Sequence, residues 1–102
     1  MLPLIEAHRP EIADLCRRFH VARLELFGSA ARGTDFDRER SDIDLLVTYD
    51  PQAAPTFDEY FELSEQLTAL FGRPVDLVMS GAVRNPFLRA GIERSKELLY
   101  AA

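Results

Sequence analysis

The chain has 102 residues, enough for a single domain, 1–102, built round one modest core. Hydrophobic residues make up 47% and charged residues 28%, as in an ordinary globular protein, while a formal net charge of −5 argues against direct contact with a nucleic-acid backbone. Cys16 is the only cysteine, which excludes an intrachain disulfide and suits a reducing, cytoplasmic setting; no run is apolar enough for a signal peptide or a membrane span.

Leu4 to His8 reads as a short helical turn. Ile12, Leu15, Cys16 and Phe19 recur at helical spacing, so Pro10 to Phe19 is predicted as an amphipathic helix with Pro10 in its first turn. His8 and His20 flank it and are assigned surface or packing roles, and Cys16 a core role. Val21 to Phe27 is predicted as a strand, with Leu24 and Leu26 on one face and Arg23 and Glu25 on the other. Gly28-Ser29 ends it. Ala30-Ala31-Arg32 is expected to form a short helix closed by Gly33, and Thr34 to Arg40 a charged loop.

Asp42 to Tyr49 is the second predicted strand, followed by a connection over Pro51 to Thr56. Phe57, Tyr60, Phe61, Leu63, Leu67, Leu70 and Phe71 trace a broad apolar helix face, stopped by Gly72 and Pro74. Its aromatics are read as core, and Asp58, Glu59, Glu62 and Glu65 as its solvated face. Val75 to Val78 reads as a third strand. Asn85-Pro86 opens a last helix through Arg94, with Phe87, Leu88 and Ile92 apolar; Leu98-Leu99-Tyr100 is either a strand or a helix end. The order is α/β, a small mixed sheet with packed helices.

Asp42, Asp44 and Asp76 each lie within a strand-like apolar run, so all three are expected near the core rather than on a solvated loop. Asp42 and Asp44 alternate with Ile43 on one strand, so they share a face roughly 7 Å apart. Two carboxylates on one face of an apolar strand repel each other and resist desolvation. A cation between them relieves both costs. Asp76 joins them if the third strand lies beside the second. Such carboxylates, with substrate phosphates, suit Mg²⁺; otherwise Asp76 is a solvated edge residue and Asp42 a turn cap. Gly28 permits close approach of backbone to a ligand, and Ser29 offers a hydroxyl to an anion. The alternative is a plain strand-to-helix turn.

Together, Gly28-Ser29-Ala30-Ala31-Arg32-Gly33, Ser41-Asp42-Ile43-Asp44-Leu45 and Val75-Asp76-Leu77 resemble the minimal nucleotidyltransferases of the polymerase-beta superfamily. The likeness runs from about Val21 to Val78, and the tail from Asn85 to Tyr100 also looks like that family's. One departure is a longer stretch between Ser29 and Asp42, with the surplus in the charged loop. The resemblance implies the nucleotidyltransferase (polymerase-beta-like) fold and an ATP-dependent reaction. Gly28 and Ser29 would contact the triphosphate, and Arg32 the leaving phosphates unless it is simply solvated. Asp42, Asp44 and Asp76 would be the catalytic carboxylates and hold two Mg²⁺ ions.

The family's partner is often an all-helical HEPN-domain ribonuclease toxin, so the resemblance implies an antitoxin that adenylylates a tyrosine of that toxin. The chain carries no second domain for an acceptor, so the acceptor side of the cleft is expected to be open or supplied by the partner, in a homo- or hetero-oligomer. Two other functions stay open at this point: an antitoxin that acts by binding alone, and nucleotide transfer to a small molecule such as an aminoglycoside.

Overall fold

A computed structural model describes residues 3–28 and 42–102. The expected helix at Ala30 to Arg32, the charged loop, and Ser29 and Arg32 themselves lie outside the described residues.

Two short helices open the chain, α1 (Pro3–Ala7) and α2 (Arg9–Arg18). Strand β1 (Val21–Phe27) follows, then β2 (Ile43–Tyr49). Helix α3 (Phe57–Phe71) leads to β3 (Val75–Met79) and a 3₁₀ turn at Ser80–Ala82. Helix α4 (Pro86–Ser95) and β4 (Glu97–Ala101) end the chain. The apolar tail segment is therefore a strand.

Local chemistry sets these limits. The Thr56 hydroxyl accepts the Glu59 N–H at 3.1 Å while the Glu59 carboxylate accepts the Thr56 N–H at 3.3 Å, a reciprocal cap that starts α3. Gly72 closes the same helix at φ +68°, a left-handed conformation that glycine adopts without steric cost. At α4, Asn85 accepts the Phe87 and Leu88 N–H groups, and Pro86 occupies a first-turn position where no N–H is needed.

The four strands form one mixed sheet in the order β3-β2-β1-β4. β1 pairs antiparallel with both β2 and β4, whereas β2 and β3 run parallel. Strand alternation gives the sheet two unlike faces. Leu24, Leu26, Ile43, Leu45, Val47, Leu77 and Leu99 belong to the main core with Ile12 and Cys16 of α2 and Leu63 and Leu67 of α3. A second, smaller cluster joins Leu46 of β2 to Val83 and to Ile92 of α4. Among the described residues α4 thus packs on part of the opposite face, at Leu46.

The apolar helix faces are narrower than the sequence suggests. Phe57 is 81% exposed and Phe61 56%, while Leu63, Leu67 and Phe71 are buried. On α4, Ile92 is buried but Phe87 is 87% exposed and Leu88 52%. One face of a small sheet covers one stripe of a helix, and the aromatics at the edge of that stripe project past it. Asp58, Glu59, Glu62 and Glu65 are exposed and Cys16 is buried, as expected. Burial pushes the Cys16 thiol up to about 12. His8 sets its ring edge-to-face on Phe71, and His20 is exposed, so both keep to packing and surface roles.

Candidate functional site

The register of the central strands aligns the candidate residues. Phe27, the last residue of β1, pairs with Asp44 of β2, and Asp44 pairs with Asp76 of β3. Neighbouring strands lie about 4.8 Å apart, so Gly28, Asp44 and Asp76 form a short row across the sheet. Asp44 stands between the other two.

Gly28 is fitted to that place twice over. Its φ of +72° lies in the left-handed region that disfavours other residues. A Cβ added there would collide with the Asp44 carboxylate. The backbone at the end of β1 therefore lies directly against the side chain of Asp44, a close approach that only glycine allows.

Asp42 immediately precedes β2. The Ile43 N–H donates to the Pro74 carbonyl at 3.0 Å, which pins the start of β2 to the turn that enters β3. Three carboxylates thus arise from the N-terminal ends of two adjacent parallel strands. Their exposure corrects the expectation that all three sit near the core: Asp44 is half-buried, whereas Asp42 and Asp76 are exposed. Asp42 lies just outside the strand, and β3 is an edge strand, so water reaches both. Exposed carboxylates avoid the desolvation cost that burial would impose.

As positioned, no three His, Cys, Asp or Glu side chains among the described residues are close enough to hold one metal ion. The backbone sets the row, and closure on a cation falls to side-chain rotation. Exposed carboxylates rotate on the picosecond-to-nanosecond scale. Hard carboxylate oxygens are the donors Mg²⁺ prefers, and the missing Cβ of Gly28 leaves room for the Asp44 carboxylate itself. In donor chemistry the residues present fit a magnesium–phosphate ligand.

Tyr60 is part of this neighbourhood, although the sequence reading assigned it only to the core. Its hydroxyl donates to the carbonyl of Leu77, the residue after Asp76. Burial and then the Asp76 charge raise its pKa above the usual tyrosine value, so the phenol keeps its proton to a higher pH than a free tyrosine. The signal in the sequence is a tyrosine inside an otherwise Phe/Leu stripe: a buried phenol needs a partner.

The model of the family described as polymerase beta nucleotidyltransferase matches residues 11–102. The protein adenylyltransferase MntA of Thermococcus cleftensis is 35% identical over 99 residues, covering 95% of this chain and 88% of that protein. A solved structure provisionally described as a minimal nucleotidyltransferase superposes with a TM-score of 0.74 at 35% identity, over 90% of this chain and 89% of the other. A chain from the complex of a tri-AMPylated Shewanella oneidensis HEPN toxin with an MNT antitoxin superposes at a TM-score of 0.68 and 20% identity. That match covers 96% of this chain and 73% of the other, and is a likeness of fold.

Proposed function

Since the chain belongs to the polymerase-beta nucleotidyltransferase family, we propose that it is a protein adenylyltransferase antitoxin, which moves AMP from ATP to a hydroxyl of a HEPN-domain toxin. The observation that carries this reading is the row Gly28, Asp44, Asp76, held by strand register. It supports the reading because the glycine backbone assigned to phosphate lies beside the carboxylates assigned to the metal. The name of the Thermococcus relative and the HEPN–MNT complex of like fold support the choice of reaction and partner.

The row also gives the reaction a direction. Gly28, with Ser29 after it, holds the β- and γ-phosphates at the end of β1. Asp44 faces the α-phosphate at the centre. Asp76, on the far side of Asp44, faces the incoming hydroxyl. The acceptor oxygen forms its bond to the α-phosphorus from the β3 side as the bond to the bridging oxygen breaks and pyrophosphate departs toward β1. An in-line displacement needs attacking and leaving oxygens on opposite sides of phosphorus, and the strand order β3-β2-β1 is consistent with that direction.

Asp42, Asp44 and Asp76 would hold Mg²⁺, two ions in this assignment, which would supply neutralisation of the phosphate charge and a lower pKa for the attacking hydroxyl. Asp76 takes the proton of that hydroxyl. Tyr60, anchored on the Leu77 carbonyl, braces the edge strand that carries Asp76. Arg32 would bind the departing pyrophosphate.

The test uses ATP labelled in the α-phosphate, Mg²⁺ and a HEPN-domain protein as the partner. Label on that partner with the wild type, and none with Asp44→Asn, is the expected result. A partner that stays unlabelled while still being neutralised would replace transfer with inhibition by binding.

A further inference from the structure

Two helices lie side by side on the core face of the sheet. Helix α2 packs over β1 and β4, and α3 over β3. One flank of α3 faces α2: Glu59 lines a groove with Phe19 and His20, and Gln66 and Leu70 line another with Leu15 and Arg18. Phe57 and Phe61 are each two residues from Glu59, about 200° round the helix, so they lie on the other flank. That flank overhangs β3, an edge strand of the sheet.

Three exposed apolar side chains lie along it. Phe57 and Phe61, four residues apart, are neighbours on the helix surface. The Tyr60 hydroxyl reaches the Leu77 carbonyl, so the first turns of α3 stand over the second half of β3. Met79 follows Leu77 on the same face of that strand and is exposed as well. A lone exposed apolar residue is ordinary, but aromatics and a methionine grouped on one flank mark a protein contact.

Charge selects the occupant. Asp58 and Glu65, three residues before Phe61 and four after it, flank that ring, with Glu62 beside them, and all three acids are exposed. Helix α3 carries no Lys or Arg, and the chain has a net charge of −5. A second copy would set these acids against themselves, and a nucleic acid would set its phosphates against them. The complementary surface is apolar at its centre and rimmed by Arg or Lys.

Position identifies its owner. Met79 is three residues, about 10 Å, along β3 from Asp76, the residue assigned to the incoming hydroxyl. A protein seated on this flank meets the row of carboxylates from the acceptor's side. We propose that Phe57, Phe61 and Met79, on the flank of α3 that overhangs β3, dock the acceptor protein through an apolar patch rimmed by Arg or Lys. The assignment rests on the transfer reading above, which sets the acceptor on the β3 side.

The full chain is tested with a HEPN-domain protein, Mg²⁺ and α-labelled ATP. Calorimetry gives the affinity for the partner and, separately, for Mg-ATP, and melting curves report folding. Phe57→Ser is expected to weaken the partner about tenfold or more while Mg-ATP changes by less than about twofold. Label transfer then shows a raised KM for the partner and an unchanged kcat. Glu62→Lys combined with Glu65→Lys also weakens the partner and removes part of the salt dependence of binding. Phe87→Ser, as exposed on α4 as Phe57 is on α3, leaves partner binding unchanged. Wild-type affinity for the partner in the folded Phe57 and charge-reversed variants overturns the docking surface, and continued labelling leaves the reaction standing. Equal weakening by Phe87→Ser overturns it too, as does a wild type that self-associates through Phe57. A wild type that binds the partner without labelling it overturns the transfer reading; loss of that binding in Phe57→Ser still supports the surface, and retention overturns both. A wild type that does not bind the partner overturns both as well.

Discussion

The backbone of Gly28 lies so close to the carboxylate of Asp44 that a Cβ at position 28 would occupy the space of a carboxylate oxygen. The two residues belong to neighbouring strands, and the pairing of Phe27 with Asp44 holds them together. The backbone proposed to bind phosphate and the acid proposed to face it are thereby built as one unit.

Gly28→Ala tests that unit. The substitution forces a left-handed conformation on alanine and pushes its methyl against Asp44. Denaturant unfolding should show a loss of about 1–3 kcal/mol. Mg-ATP binding should fall further than that loss of fold accounts for, because Asp44 is displaced. A variant with wild-type stability and affinity would show that the close approach has no role.

Asp76→Asn should separate chemistry from folding. Asp76 is exposed on an edge strand, so the thermal midpoint should stay close to that of the wild type. As the residue proposed to take the acceptor proton, it should cost about 10²–10⁴-fold in kcat. Activity within about threefold of wild type would remove Asp76 from the mechanism.

Tyr60 gives a pH test. Its pKa is raised above the unfolded value of about 10, first by burial and then by Asp76. A raised phenol pKa means that the folded state holds the proton longer than the unfolded state. The stabilisation is therefore complete below about pH 10 and is lost as pH climbs through the folded pKa. Tyr60→Phe should cost about 0.5–1.5 kcal/mol at neutral pH through the lost bond to the Leu77 carbonyl, and the gap should narrow above pH 10. Tyr49 is raised as well, by burial first, so the difference between wild type and variant is the quantity to follow. Asp76→Asn should lower the Tyr60 pKa part of the way back. An unchanged value would place Asp76 too far away to act on it.

Cys16 should be silent in the native state. With its pKa pushed up to about 12 by burial, it carries almost no thiolate at pH 8. Iodoacetamide should leave the folded protein unmodified and alkylate it once denatured. Rapid native labelling would mean that α2 lifts off the sheet.

Much of this arrangement is legible in the chain itself. Strand β1 and helix α3 run between the residues expected, because Gly28, the Thr56–Glu59 cap and Gly72 are local signals. The condition on which Asp76 joins Asp44, that β3 lies beside β2, is met by their pairing. Other features depend on partners distant in sequence. Glu97–Ala101 is a strand because β1 offers it an edge, and an apolar run that short has no periodicity to decide the matter. Glu25, on the polar side of its strand pattern, is buried because Lys96 reaches it from the end of α4. The exposure of Phe57, Phe61, Phe87 and Leu88 reflects how little helix surface one small sheet can cover. Asp42 and Asp76 are wetter than their apolar neighbours suggest because both lie at a margin of the sheet.

The most direct measurement is the intact mass of the helical partner after incubation with Mg-ATP and either the wild-type chain or the Asp42→Ala, Asp44→Ala double variant. The account predicts a gain of one or more AMP units with the wild type and an unchanged partner with the double variant, although the two still bind each other. A mass gain that persists in the double variant would contradict it, because the carboxylate row beside Gly28 would then not be the site of transfer.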